Sequence, residues 1–338
     1  MTSARPVAEW RDVTPEIFRQ EILPSAQPAL LRGHVADWPA VRVGRESPAA
    51  MANYLRGFDR GANAQLMTAD ASIGGKFFYN EDLSGLNFEN RAVPFAAALT
   101  SLMALVDAPA PPAMYLGAVP IPESLPGFMR DNRLALLESS IVPRIWLGNR
   151  VTVQTHYDLS YNIACVAAGH RRFTLFPPEQ LANLYVGPLE FTPAGQPISM
   201  VKLEAPDHEK YPRFRAALAT AQSAELEPGD ALFIPYMWWH HVESLDAFNV
   251  LVNYWWDEVP PWQGSAFEAL LHSILAVRNL SPERRDLWRQ IFEHYVFSGG
   301  DAALEHLSER QRGIQGAPSP RIAQVMRDYL ARSLQGKR

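Results

Sequence analysis

The run Val151-Thr-Val-Gln-Thr-His-Tyr-Asp-Leu-Ser-Tyr-Asn-Ile-Ala-Cys-Val-Ala-Ala-Gly-His-Arg-Arg-Phe-Thr-Leu-Phe176 repeats with a period of two. Val151, Val153 and Thr155 alternate with their neighbours, as do Tyr161, Ile163 and Cys165, then Arg171, Phe173 and Leu175. That is the pattern of successive strands, with Gly169 placed to turn between two of them. Downstream, Glu227-Pro-Gly-Asp230 signals a tight turn, Ala231–Ile234 a short buried strand and Phe248–Trp256 another. Short strands with turn signals and no helix between them predict an antiparallel jelly roll over residues 140–258.

The flanks have a different texture. In residues 1–139, Thr14-Pro15 and Ser47-Pro48 each offer an N-cap followed by proline at the first helical position. Met51, Tyr54 and Leu55 follow at helical spacing, Ala92–Val106 reads as a buried helix, and Asp107–Pro112 as a loop. Residues 259–338 turn helical. Ser265-x-x-Glu268 is a capping box before Phe267, Leu270, Leu271 and Ile274. Ser281-Pro282 and Ser319-Pro320 start two more helices with apolar stripes that need a partner. The expected fold is mainly β with α: a jelly-roll core at 140–258, an N-terminal α/β extension at 1–139 and C-terminal helices at 259–338.

Composition narrows the function. The 338 residues are 47% hydrophobic and 20% charged with a formal net charge of -5, so no basic footprint for nucleic acid is present and no nucleic-acid partner is expected. No apolar stretch is long enough to span a bilayer, and no secretory signal is visible at Met1–Trp10. A single cysteine, Cys165, excludes an intramolecular disulfide framework and a thiolate metal cluster. A cytoplasmic protein without a membrane partner is expected.

Chemistry gathers at His156-Tyr157-Asp158. Residues i and i+2 of a strand share a face, so imidazole and carboxylate converge. With a histidine from another strand they would form the facial triad that holds Fe(II) and leaves positions open. Alone, such a pair is equally a histidine bonded to a neighbouring carboxylate on a sheet surface. The partner lies in Trp238-Trp-His-His241, where adjacent histidines cannot both face inward and spacing does not choose between His240 and His241. Arg171, on a face with Phe173 and Leu175, would need a carboxylate partner if buried. The alternatives turn Arg171 outward and Arg172 inward, or leave both on an edge.

These residues resemble a known family, the JmjC-type cupin oxygenases. The likeness runs through Trp146-Leu-Gly-Asn149, His156-Tyr-Asp158, Asn162, Gly169 and Leu175-Phe-Pro-Pro178. It continues through Pro228-Gly-Asp230, Ile234-Pro235, Trp238–Leu245 and Val252-Asn253-x-Trp255, with Pro28–Gly33 and Asp37-Trp-Pro39 near the start. Within the family the likeness is greatest to the branch of asparaginyl hydroxylases. The resemblance implies a double-stranded β-helix (cupin) and a dioxygenase using iron and 2-oxoglutarate as co-substrate. It implies His156, Asp158 and His240 as metal ligands and catalytic centre. It also implies Arg171, Tyr115, Asn162 and Asn253 around the co-substrate, and Trp255 packed beside them. Two departures stand out. The family branch has lysine where this chain has Arg171, and threonine where it has Val153, so one hydroxyl contact is missing unless Thr152 or Thr155 supplies it.

The expected activity is hydroxylase chemistry on a C–H bond, with succinate and carbon dioxide as co-products. The expected substrate is a protein or peptide side chain, or else a small molecule, in a mouth lined by Tyr157, Tyr161, Trp238 and Trp239. The resemblance also implies a homodimer through residues 259–338. Two alternatives stay open from sequence: a non-catalytic metal-binding cupin module, and a cupin enzyme that does not use 2-oxoglutarate.

Overall fold

The computed structural model describes residues 4–193, 195–298 and 304–335. The chain divides into two compact units, with the boundary between Trp256 and Asp257. In the first unit the strands β1 (Arg5–Pro6), β2 (Ala8–Trp10), β3 (Ala29–Leu31), β4 (Asn63–Ala69), β5 (Glu89–Pro94) and β6 (Ala113–Pro120) precede the central eight. These are β7 (Pro143–Gly148), β8 (Thr152–Tyr157), β9 (Tyr161–Ala168), β10 (Arg171–Phe176), β11 (Gln222–Leu226), β12 (Ala231–Ile234), β13 (Trp239–Ser244) and β14 (Asn249–Trp256).

The central strands divide between two facing sheets, in the orders β12-β9-β14-β7 and β11-β10-β13-β8. All neighbours within these two sets are antiparallel. This is the jelly-roll arrangement, and its turns follow the sequence signals. Gly169 adopts φ +71 between β9 and β10, and Gly229 adopts φ +106 in the turn before β12. Asp230 fastens that turn by accepting from the Gly33 amide and pairing with Arg32 at 2.7 Å.

Strands of the first 139 residues lengthen this frame. β3 and β2 continue one edge beyond β12, and β6, β4 and β5 continue the other beyond β7, making nine strands in that sheet. Helices Pro39–Glu46, Pro48–Arg56 and Phe95–Ala104 bury Val41, Met51, Leu55 and Leu99 in one cluster with Ile163, Cys165, Val250 and Val252. Ser47 caps its helix by accepting from the Ala50 amide. The helix read over Ala92–Val106 is shorter than expected. Ala92–Pro94 pair with β4 as the end of β5, and the helix begins after Pro94.

The second unit is helical, with segments Ala266–Ala276, Pro282–Phe292 and Pro320–Leu334. Ser281 and Ser319 cap as expected. Ser265 accepts from Phe267 instead of closing a reciprocal box with Glu268, because its bond falls one residue earlier than that motif requires.

Candidate metal centre and its chamber

His156 on β8 and His240 on β13 are cross-strand partners, with ring centroids 4.2 Å apart. Each ring is fixed by its Nδ1: His156 meets the Gln154 carbonyl at 2.7 Å and His240 meets the Trp238 carbonyl at 3.0 Å. Both rings therefore keep Nε2 free on the inner side. Asp158 follows β8, and its Oδ2 lies 3.5 Å from His240 Nε2. One ligand atom from each of His156, Asp158 and His240 lies within 4.8 Å of the others, so the three can hold a metal ion. Burial and then the facing His156 hold the His240 pKa down to about 4, which leaves its imidazole neutral near pH 7 as a metal ligand must be.

The strand register resolves the two histidines. His240 turns inward, whereas His241 is fully buried on the other face, beside Thr155 Oγ1 at 3.4 Å and Glu204 at 3.8 Å. The two arginines divide in the same way. Arg171 enters the barrel and is 1% exposed, while Arg172 pairs outside with Glu225 and Glu243.

A ladder of amides and indoles supports the carboxylate. Trp255 Nε1 donates to Asp158 Oδ2 at 3.0 Å, and Asn162 Nδ2 donates to the same oxygen at 3.3 Å. Asn253 in turn donates to Asn162 Oδ1 and accepts from Trp146 Nε1 at 2.7 Å. Asn162 and Asn253 thus hold Asp158 as well as lining the chamber.

The inner chamber, of about 420 Å³, is lined by the three metal-holding residues together with Tyr115, Asn162, Arg171, Asn253 and Trp255. Arg171 reaches its deep end without a carboxylate partner, and among the described residues its buried Nε and Nη2 have no hydrogen-bond partner. Tyr115 faces that guanidinium; burial raises its phenol pKa and Arg171 pulls it back. Val153 lines the chamber, but Thr152 and Thr155 do not, so neither replaces the missing hydroxyl.

Beside it lies a second space of about 570 Å³, lined by Met67, Phe77, Gln154, Pro193 and Ile198 and sharing Tyr115, Trp146, Val153, His156, Asp158 and Trp255 with the first. This corrects the expected mouth. Tyr157 and Trp239 neighbour the inward histidines in sequence, so they point to the opposite face and pack together there with Phe176 and Phe214. Tyr161 stacks on Phe233 and Trp256 outside the barrel, and Trp238 is a core residue. Phe77 and Ile198 come from segments that pair with the edge of β8 through Lys76 and Ile198. No spacing in the sequence announces them, and Gln154 was equally missed.

Residues 14–261 match the cupin-like domain. The chain is 40% identical over 102 residues to Lysine-specific demethylase JMJ31 of Arabidopsis thaliana, covering 30% of this chain and 18% of that protein. It is 32% identical over 203 residues to HSPB1-associated protein 1 homolog of Danio rerio, covering 58% and 42%. It is 37% identical over 106 residues to tRNA wybutosine-synthesizing protein 5 of Mus musculus, covering 31% and 30%. The chain spans less than half the length of each of these curated relatives. With the jelly-roll strands, the inward His-Asp-His set and a match across most of its length, the chain belongs to the cupin-like, JmjC-type domain family.

Proposed function

We propose that the protein is an Fe(II)- and 2-oxoglutarate-dependent oxygenase that hydroxylates a C–H bond of a protein or peptide side chain. The observation that carries this reading is Arg171, buried in the chamber that the His-Asp-His set lines, bonded to Tyr115 but with Nε and Nη2 unbonded and no carboxylate partner among the described residues. A charge without a partner is expensive there, and a dicarboxylate reaching from the metal would supply one.

His156, Asp158 and His240 would hold the metal, and Arg171 with the Tyr115 hydroxyl would bind the distal carboxylate of the co-substrate. When bound, iron with 2-oxoglutarate supplies oxidative decarboxylation to succinate and carbon dioxide coupled to hydroxylation. The protein's own work is positional. The Gln154 and Trp238 carbonyls fix the two imidazoles, Trp255 and Asn162 hold the Asp158 carboxylate, and the aromatic walls exclude water. The likeness of both motif spans to asparaginyl hydroxylases supports a side-chain substrate, and the net charge of -5 favours this over a tRNA. We assign 140–258 to the barrel, 1–139 to its extension and 259–338 to homodimer formation, and place the protein in the cytoplasm.

An anaerobic titration with Fe(II) and 2-oxoglutarate tests this reading through the visible charge-transfer band of bidentate chelation. The band should vanish in Asp158→Ala and weaken in Arg171→Ala. Bound iron without a band would overturn the assignment and favour a metal-binding module.

A further inference from the structure

We infer that Gln154 is a specificity-determining residue that reads an uncharged amide on the substrate; the inference builds on the oxygenase reading of the chamber. β8 and β13 lose register beside the metal-holding histidines. His240 faces His156 and Val242 faces Val153, so His241 alone stands opposite both Gln154 and Thr155. Two residues opposite one form a β-bulge, a feature that re-aims side chains next to functional sites. Here Val153 and His156 both face the chamber although they are three residues apart. Thr155 turns to His241, and Gln154 joins the wall of the second space.

Gln154 is 3% exposed, and among the described residues its buried Oε1 has no hydrogen-bond partner. An unmade bond of this kind costs stability, a cost that a methionine of similar length would not carry. Its value lies in what enters. Around it the wall is apolar or aromatic: Met67, Phe77, Trp146, Pro193, Ile198 and Trp255.

Charge selects the kind of head group. Asp158 is the one carboxylate among the lining residues, and it is already engaged by Trp255 and Asn162. The Arg144 guanidinium lies 5.8 Å from the Trp255 ring centroid, and Arg171 stands at the deep end. A cationic group entering here finds positive neighbours and no counter-charge of its own. A carboxamide or a peptide unit fits better. Its N–H donates to the Gln154 carbonyl while the Gln154 NH2 can donate to its oxygen.

Three probes of similar shape test this on the 338-residue chain, metal-free and, anaerobically, with Fe(II). They are 3-methylbutanamide, methyl 3-methylbutanoate and (2-methylpropyl)trimethylammonium, with binding read by tryptophan fluorescence and saturation-transfer NMR. The amide should bind about tenfold more tightly than the ester, the worth of one hydrogen bond to an otherwise unpaired group, and the cation most weakly. Gln154→Met should erase the amide preference while keeping or raising the thermal midpoint. A purely structural glutamine would do the reverse, losing stability and leaving the preference intact. Equal binding of amide and ester, a preference that survives Gln154→Met, or tightest binding of the cation overturns the inference. These readouts need neither turnover nor 2-oxoglutarate. Failure here is therefore distinguishable from absence of the charge-transfer band, which would overturn the oxygenase reading itself.

Discussion

At the scale of single residues, Arg171 sits among Phe173, Leu251 and Val242 with two of its nitrogens unpaired, so the free protein carries the cost of a buried charge. An apolar side chain of similar volume at that position removes the cost of burying the charge. Arg171→Met should therefore raise the thermal midpoint of the metal-free protein and abolish stabilisation by added 2-oxoglutarate, both measurable in one melting series. A lower midpoint would mean that the guanidinium is satisfied without a ligand. The buried imidazoles give a pH dependence whose sign is fixed. Burial holds His240 and His241 down from 6.5 to about 4 and about 3 in the folded chain, so the unfolded chain takes up the protons first. Their contribution is complete above pH 6.5 and is lost as pH falls through the folded values. Urea midpoints of the metal-free protein should be flat near neutrality and fall between pH 6.5 and about 3. His241→Asn should make that fall shallower; an unchanged slope would exclude His241 as a source. Part of this scale was legible in the sequence, because a period of two brings His156 and Asp158 to one face, but it left open which of Arg171 and Arg172 turns inward. The choice of His240 over His241 was not, since spacing treats neighbours alike and only the pairing with His156 separates them.

Elements were legible wherever a local signal sets them. Ser47, Ser281 and Ser319 begin helices because a hydroxyl accepts a first-turn amide, and Gly169 and Gly229 turn the chain because they tolerate positive φ. The bulge at Gln154–Thr155 left no trace, as an extra residue disturbs the period only once the facing strand is known. The seating of helix Pro39–Glu46 was equally hidden. A Cβ on its Gly44 would lie 2.2 Å from the Ala167 carbonyl oxygen of β9 and 3.0 Å from the Ala168 Cβ. The helix therefore reaches the sheet backbone only because residue 44 has no side chain. Gly44→Ala gains helix propensity but must lift the helix from β9, and overpacking of this kind costs about 1–3 kcal/mol. Chemical denaturation should show a net loss of stability, and a gain would mean that the helix sits further from the sheet. Since Ala164, on the inner face of β9, lines the inner chamber, the shift should also weaken the charge-transfer band.

At the scale of the whole molecule, the residues lining both chambers lie between Met67 and Trp255, so the first unit contains the entire candidate site. Among the described residues none of the second unit lines either chamber, and in that unit Leu275 is 72% exposed, Phe297 71% and Tyr329 65%. Exposed apolar groups of this kind are what a contact surface would cover. A second copy of the chain is the occupant that the family resemblance implies. Light scattering should then give twice the 37.8 kDa chain mass, and the double variant Leu275→Glu/Tyr329→Glu should give a single chain mass. A wild-type monomer unchanged on dilution removes the assignment. Since the lining residues of both chambers belong to the first unit, the monomeric variant should still bind Fe(II) and 2-oxoglutarate with an undiminished charge-transfer band. If the band disappears along with the dimer, the helices do more than join two copies, and the chamber depends on assembly.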